Sequence, residues 1–499
     1  MRITQTALHG LLRRPLVPSP SLIRPRSLLT LAIETSCDDT SVAVLELRQH
    51  DSSGRTFAQL HFHKKITCDS SKFRGIHPIA AHESHQENLA SLVAEAITHI
   101  PNSTTKRASG ETLNSRQIPD FISVTRGPGM RANLFTGVDT AKGLAVAWQK
   151  PLIGVHHMQA HALTPRLESA LRFRETAGTG SHDQSSEAIE NIHVEPQYPF
   201  LSMLVSGGHT LLVHSAALTH HEIVASTLDI PLGDCLDKIA RIVLPPAVLE
   251  EANSSMYGAV MEEFVFPRDR HDDTPDIPPK ATSDSGLAAS EYVDMYKTRY
   301  TYLVPDNNEQ ALRRNASKWG WSVNEPLTKA SGGIKNKSLT MSFSGLSTGV
   351  EKIMKYERDP QTNKLTKIGR QIDRISIEER KDLAEFSMRV AFEHIASRVV
   401  LGLQQHPAET VVVAGGVASN YYLRYILASM LCARGYGDVK VVFPRPNLCC
   451  DNAAMIGWTG MEMYLEGARD RLDIRAVSKW PLSQLLSPPD DKLTGPKMI

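Results

Sequence analysis

Two histidines four residues apart, His157 and His161, sit just past the apolar run Leu152 to Val155. On a helix that spacing puts both imidazoles on one face, where they can share one cation. Pairs of this kind also arise by chance in a chain with 20 histidines. What favours a ligand pair here is its place at the carboxyl end of a strand, where α/β proteins bind their ligands. Met158 follows the first histidine. A zinc protease of the HExxH type needs glutamate there as general base, so proteolysis by that route is disfavoured.

Two glycine turns offer backbone donors. Ser206-Gly207-Gly208-His209-Thr210 lies between apolar strands, and paired glycines let the main chain approach a ligand and present its N–H groups; an ordinary tight turn is the other reading. Ala414-Gly415-Gly416-Val417-Ala418-Ser419-Asn420 follows Val411-Val412-Val413 and precedes the helix containing Leu423. That arrangement exposes a helix N-terminus suited to phosphate or a sugar hydroxyl, while Asn420 also reads as the cap of that helix. Asp451-Asn452 opens the small-residue helix that starts at Ala453, and capping alone accounts for the aspartate. Cys449 and Cys450 are adjacent, cannot easily reach one ion together and read as buried thiols.

These residues need a scaffold. Leu28 to Glu34 and Ser41 to Leu47 read as a hairpin turning on Cys37-Asp38-Asp39-Thr40. A helix from His85 to His99, a polar insertion from Asn102 to Gln117, a strand from Phe121 to Thr125, a helix from Phe135 to Trp148 and the strand Leu152 to Val155 complete a first α/β lobe over residues 28–165. Residues 166–197 lack periodicity and read as a loop or linker. A second lobe, 198–475, opens with another hairpin, Phe200 to Val205 and Thr210 to His214. It carries an insertion near 267–337, a long helix from Ser376 to Leu403, a buried strand from Thr410 to Val413 and a last helix from Asp451 to Leu465 that is free to pack back on the first lobe. Residues 476–499 read as a tail. Two lobes that each open with a hairpin suggest a duplicated α/β unit with a nucleotide between the copies; a doubly wound sheet with insertions is the alternative.

With 499 residues, 41% of them hydrophobic and 22% charged, the chain can bury large cores, and it has no apolar run long enough to span a bilayer. Met1 to Ile33 carries Arg2, Arg13, Arg14, Arg24 and Arg26 and no acid, the composition of a mitochondrial transit peptide, here placed at residues 1–27. Without it 50 basic residues face 54 acidic ones, so a nucleic acid must meet a local patch. The stretch from Gln310 to Arg370, with twelve basic residues against four acids, is the candidate, and Trp319 and Trp321 are placed to stack on an unpaired base. A solvated insertion with its tryptophans tucked onto the lobe is the other reading. The six cysteines form no CxxC pair and suit a reduced matrix.

Taken in order, Ile33 to Asp38, Arg126-Gly127-Pro128-Gly129, His157 to His161, Val205 to Thr210, Ser342 to Leu346, Gly415 to Asn420 and Cys450-Asp451-Asn452 resemble the tRNA threonylcarbamoyladenosine transferase family, once named O-sialoglycoprotein endopeptidases, and its mitochondrial branch in particular. The resemblance runs from about Leu28 to Leu465, outside the insertions. It implies the two-lobed fold of actin-like ATPases and sugar kinases, with duplicated α/β subdomains. It implies one divalent metal, zinc or iron, on His157, His161 and Asp451. It implies threonylcarbamoyl-adenylate held by Leu204, Val205, Ser206, Gly207 and Gly208, by Asp237 in Gly233-Asp234-Cys235-Leu236-Asp237-Lys238, by Gly258 and by Asn420. It also implies transfer RNA as partner, a homodimer without integral membrane association, and transfer to adenosine N6 at position 37 of mitochondrial tRNAs reading codons that begin with A, with release of AMP. Gln159 stands where relatives carry glutamate, and Tyr257-Gly258-Ala259 is what corresponds to their Tyr-Pro-Gly-Gly. Asp38 or Asp39 can take the N6 proton, or both are turn residues. The competing functions are a metalloprotease, as the old family label has it, and an ATPase or kinase of the actin-like fold.

Overall fold

The computed structural model describes residues 27–49, 56–69, 76–106, 112–178, 194–252, 257–267, 286–306, 308–327, 338–359, 361–362 and 364–489. The leader before Ser27, parts of the 267–337 insertion and the last ten residues lie outside them. The apolar run Leu28 to Ile33 forms strand β1 (Ser27–Glu34), buried from its second residue to its last, as a strand with both faces covered requires. It pairs antiparallel with β2 (Asp39–Gln49), which pairs with β3 (Thr56–Thr67). After α1 (Pro78–Thr98) and the small hairpin β4 (Asn102–Lys106) and β5 (Thr112–Arg116) comes β6 (Phe121–Gly127). Helix α2 (Arg131–Trp148) then leads to β7 (Leu152–His156). Strands β6 and β7 extend the sheet in parallel, giving the order β3-β2-β1-β6-β7.

Helix α3 (His157–Gly178) begins where β7 ends. The second half repeats the first, with a meander of β8 (Phe200–Val205), β9 (Thr210–Ala217) and β10 (His220–Ser226). Helices α4 (Leu232–Val243), α5 (Pro246–Glu251) and α6 (Tyr257–Val265) follow, then β11 (Leu287–Ala288), α7 (Ala289–Tyr296), α8 (Asn308–Arg314), α9 (Ser344–Lys355) and the hairpin β12 (Tyr356–Arg358) and β13 (Leu365–Gly369). The chain closes with α10 (Ile377–Gln405), β14 (Thr410–Ala414), α11 (Tyr421–Ala433), β15 (Lys440–Val442), α12 (Pro446–Cys449) and α13 (Ala453–Leu465). The sheet order is β10-β9-β8-β14-β15-β11. Apart from β11, each sheet is a three-stranded meander whose first strand continues into two parallel strands. This is the duplicated, actin-like α/β architecture expected.

The carboxyl ends of β1, β6 and β7 in one sheet, and of β8 and β14 in the other, carry the motifs. Helix α13 brings the last of them back to the first sheet. Gly457 sets its backbone against Ala32 and Leu45, and a Cβ at Gly460 would lie 2.2 Å from Ser123 Oγ. One apolar cluster therefore joins the sheets, with Ala32 and Phe121 from the first, Leu204 and Val412 from the second, and Leu163 and Ile456 from the helices between.

Several local expectations are corrected. The stretch read as a loop from Arg166 is helical to Gly178, because Leu167, Ala170 and Leu171 continue the apolar face of α3. The described residues of the 267–337 insertion join the core: β11 pairs with β15, and Tyr296 and Tyr300 are buried against Tyr421 and Tyr422 of α11. The polar stretch from Asn102 holds the β4–β5 hairpin. The residues read as a tail begin as a packed segment, where Val477, Trp480, Leu482 and Leu485 are buried and Val477 lies over Gly127.

Candidate metal centre

His157 and His161 occupy the first turn and a half of α3 and meet at right angles, ring centroids 4.6 Å apart. Their Nε2 atoms are 3.2 Å apart, and Asp451 Oδ1, just before α13, lies 3.0 Å from Nε2 of His161 and 3.4 Å from that of His157. Four donors about 2.0 Å from a zinc-sized ion stand about 3.3 Å from one another. Two imidazoles and one carboxylate at 3.0–3.4 Å fit such an ion and leave a position open.

On its far side, His157 Nδ1 lies 3.2 Å from Ser36 Oγ and 3.4 Å from Glu34 Oε2. An Nδ1–H donated there leaves the Nε2 lone pair for a metal. Burial opposes a charge on His157, but the carboxylates of Asp451 and Glu34 outweigh it and raise its pKa to about 10. The same imidazole holds Asp451 well below the usual carboxylate range in spite of burial.

The glycine turns stand beside this cluster. Burial first, and then His157 and His161, push the pKa of His209 down to about 4, which sets the Ser206–His209 turn within electrostatic reach of the histidine pair. Ser206 Oγ accepts from the N–H groups of Gly208 and His209, and Gly207 and Gly208 face open space. Leu204 and Val205 are buried strand residues that offer a ligand only backbone. Gly415, with φ of +100°, passes so close to Val205 that a Cβ would lie 2.3 Å from its carbonyl oxygen. The two turns therefore leave adjacent strand ends side by side.

Gly233 packs the start of α4 onto the Ser206–Gly207 backbone. One turn on, Asp237 Oδ1 accepts from Gly258 N–H at 3.1 Å, which brings these two expected contacts together. Burial pushes the Asp237 carboxyl up to about 6, against the pull of Gly258 and Arg241. Asn420 caps α11 by accepting from Leu423 N–H at 2.9 Å, while its buried Nδ2 has no partner among the described residues and is a donor in waiting.

The profile of the TsaD family, tRNA N6-adenosine threonylcarbamoyltransferase, matches residues 61–174, 184–295 and 280–458. The chain belongs to this transferase family. A mitochondrial tRNA N6-adenosine threonylcarbamoyltransferase of Schizosaccharomyces pombe is 32% identical over 94% of this chain and 90% of its own length. A tRNA N6-adenosine threonylcarbamoyltransferase of Staphylococcus haemolyticus is 27% identical over 91% of this chain and 97% of its own. Among solved structures, HypF of T. kodakarensis is similar at a TM-score of 0.39 and 13% identity, over 89% of this chain and 49% of that one. YeaZ from Pseudomonas aeruginosa is similar at a TM-score of 0.17 and 21% identity, over 30% and 50%.

In this family member the two turn aspartates differ. Asp39 is committed to Lys65 Nζ at 2.9 Å and to Thr67, and burial pushes its carboxyl up to about 6. Asp38 is half-buried, its carboxyl pushed up by burial and by the neighbouring Asp451 carboxylate. Cys449 donates to the Pro444 carbonyl and is buried.

Spacing alone did not reveal Glu34, which holds His157 from behind and also accepts from Thr125 Oγ1 and Ser36 N–H. Its signal was a carboxylate ending an otherwise apolar strand. Of the two readings of the basic stretch from Gln310, the structure shows the one with its tryptophans tucked onto the lobe. Trp321 is buried and donates to Glu379, and Trp319 donates to Asp382 at 2.8 Å, so both are packed onto α10. Arg313, Arg314, Lys318 and Arg370 pair with Glu309, Glu393, Glu378 and Glu379. Lys329, Lys335 and Lys337 lie outside the described residues. Lys352, Lys355, Lys364 and Lys367 remain, exposed around the β12–β13 hairpin and without a carboxylate partner among the described residues.

Proposed function

We propose that this chain transfers the threonylcarbamoyl group from threonylcarbamoyl-adenylate to N6 of adenosine 37 in mitochondrial tRNAs that read codons beginning with A, releasing AMP. His157, His161 and Asp451 hold one divalent ion, zinc or iron. A bound ion supplies Lewis-acid polarisation of a substrate oxygen. The observation that carries the reading is the donor triangle of 3.0–3.4 Å beside a glycine turn facing open space.

The adenylate is a mixed anhydride, so the protein mainly has to orient two substrates. The Gly207 and Gly208 backbone and the orphaned Asn420 Nδ2 donate to adenylate oxygens, and Asp237 with Gly258 binds its polar edge. As N6 attacks the carbamoyl carbon, the new N–C bond forms, the bond to the phosphate oxygen breaks and AMP leaves with that electron pair. The N6 proton passes to Asp38, whose raised pKa suits a general base. Transfer RNA phosphates lie against the lysines of the β12–β13 hairpin. The protein works as a homodimer in the mitochondrial matrix, a setting supported by the basic leader and by the mitochondrial relative.

Purified protein is incubated with the adenylate and unmodified tRNA, and the nucleosides are then analysed. The modified adenosine is expected from the wild type and not from His157→Ala, His161→Ala or Asp451→Ala, each folded but with less bound metal than the wild type. As much bound metal in all three variants as in the wild type, or no modified nucleoside from the wild type, would refute the assignment.

A further inference from the structure

Among the described residues, a second group of side chains can converge on a metal, on the far edge of the second sheet. His214 on β9 and Glu222 on β10 are direct cross-strand partners, so their side chains leave the sheet on one face. Leu212 shares that face with His214. Gly402 of α10 packs on Leu212, where a Cβ would lie 2.6 Å from Leu212 Cδ2. One turn further on, the helix ends at His406, whose N–H bonds the Gly402 carbonyl at 2.7 Å. The absence of a side chain at Gly402 thus lowers the helix end onto the sheet and delivers His406 to His214, ring centroids 4.7 Å apart.

We propose that His214, Glu222 and His406 form a second divalent transition-metal site, of zinc-binding chemistry, which clamps the carboxyl end of α10 to the β9–β10 hairpin. One ligand atom from each lies within 4.8 Å of the others. Tetrahedral zinc needs about 3.3 Å, so side-chain rotations closing at most about 1.5 Å complete the triangle. Two imidazoles and a carboxylate are borderline donors matched to zinc rather than to calcium or magnesium. Glu222 is exposed and has no ion-pair partner among the described residues, so no cation has to be displaced. Glu222 is exposed and the two histidines are partly so, and the site's role is to hold the helix end in place.

Full-length protein, stripped of metal by chelator dialysis, is titrated with zinc(II) by calorimetry. Two equivalents are expected for the wild type and one for the His157→Ala/His161→Ala variant, which separates this site from the proposed catalytic one. Glu222→Gln, a fully exposed change that cannot disturb the core, and His406→Asn should each weaken only the second equivalent, by at least about tenfold. Nucleoside product should form in both as in the wild type. Saturation of the wild type at one equivalent would overturn the proposal, as would a second equivalent unaltered in both variants, since the zinc would then sit elsewhere.

Discussion

Replacing Asp237 by asparagine should make the protein more stable and a worse enzyme. In the unfolded chain this carboxyl ionises near 3.8, and in the folded protein near 6, because burial outweighs the help of Gly258 N–H and Arg241. Between those values the unfolded state gives up its proton first, so stability falls as pH rises through the window, and the whole penalty stands above pH 6. A displacement of that size corresponds to about 3 kcal/mol, which partial exposure to solvent reduces to about 1–2 kcal/mol. Asparagine keeps an oxygen for Gly258 and carries no charge. At pH 7.5 the melting midpoint of Asp237→Asn should exceed that of the wild type by about 1–2 °C. The gap should narrow as the pH is lowered to 4.5. Scanning calorimetry at both pH values tests this, with transfer kinetics expected to show a raised KM for the adenylate. A variant no more stable than the wild type at pH 7.5, or a gap that does not change with pH, refutes the argument that a buried charge is held there at a cost.

Glu34→Gln keeps the shape behind His157 but removes the negative charge that orients its Nδ1–H; metal affinity should fall by about 10–100-fold, read by competition with a chelating dye, and an unchanged affinity would mean that Glu34 only packs. Exchanging Lys352, Lys364 and Lys367 together for serine should flatten the log–log salt dependence of tRNA binding by about two units, three contacts at the single-strand coefficient. An unaltered slope would move the RNA to another face.

How much of this was legible in the chain depended on the residue. The histidine pair announced itself by i, i+4 spacing at a strand end. Asp451 did not, because nothing local distinguishes a ligand from a helix cap, and it entered through resemblance to a family. Glu34 escaped because a carboxylate at the end of an apolar strand reads as the strand's boundary, when it is fully buried behind His157. Strand β3 was lost because His61, His63, Lys64 and Lys65 dilute its alternation, and β10 because its pattern is broken by two bulges. Trp319 and Trp321 misled for a tertiary reason: an aromatic in a basic stretch looks like a stacking platform until α10 is seen to supply Asp382 and Glu379 as partners for the indole N–H groups.

The return of α13 to the first sheet also fixes an order of events. His161 and Asp451 are 290 residues apart in the chain, and the helix that follows Asp451 covers the face of the sheet carrying Ala32, Leu45 and Ser123. The opening hairpin emerges from the ribosome early, yet one side of it has no permanent cover until almost the whole chain has been made. Contacts of such long range are slow to form, and apolar surface left waiting for them is a target for aggregation. The triangle of His157, His161 and Asp451 closes at the same late step, so its completion reports that both halves have been synthesised and have found each other.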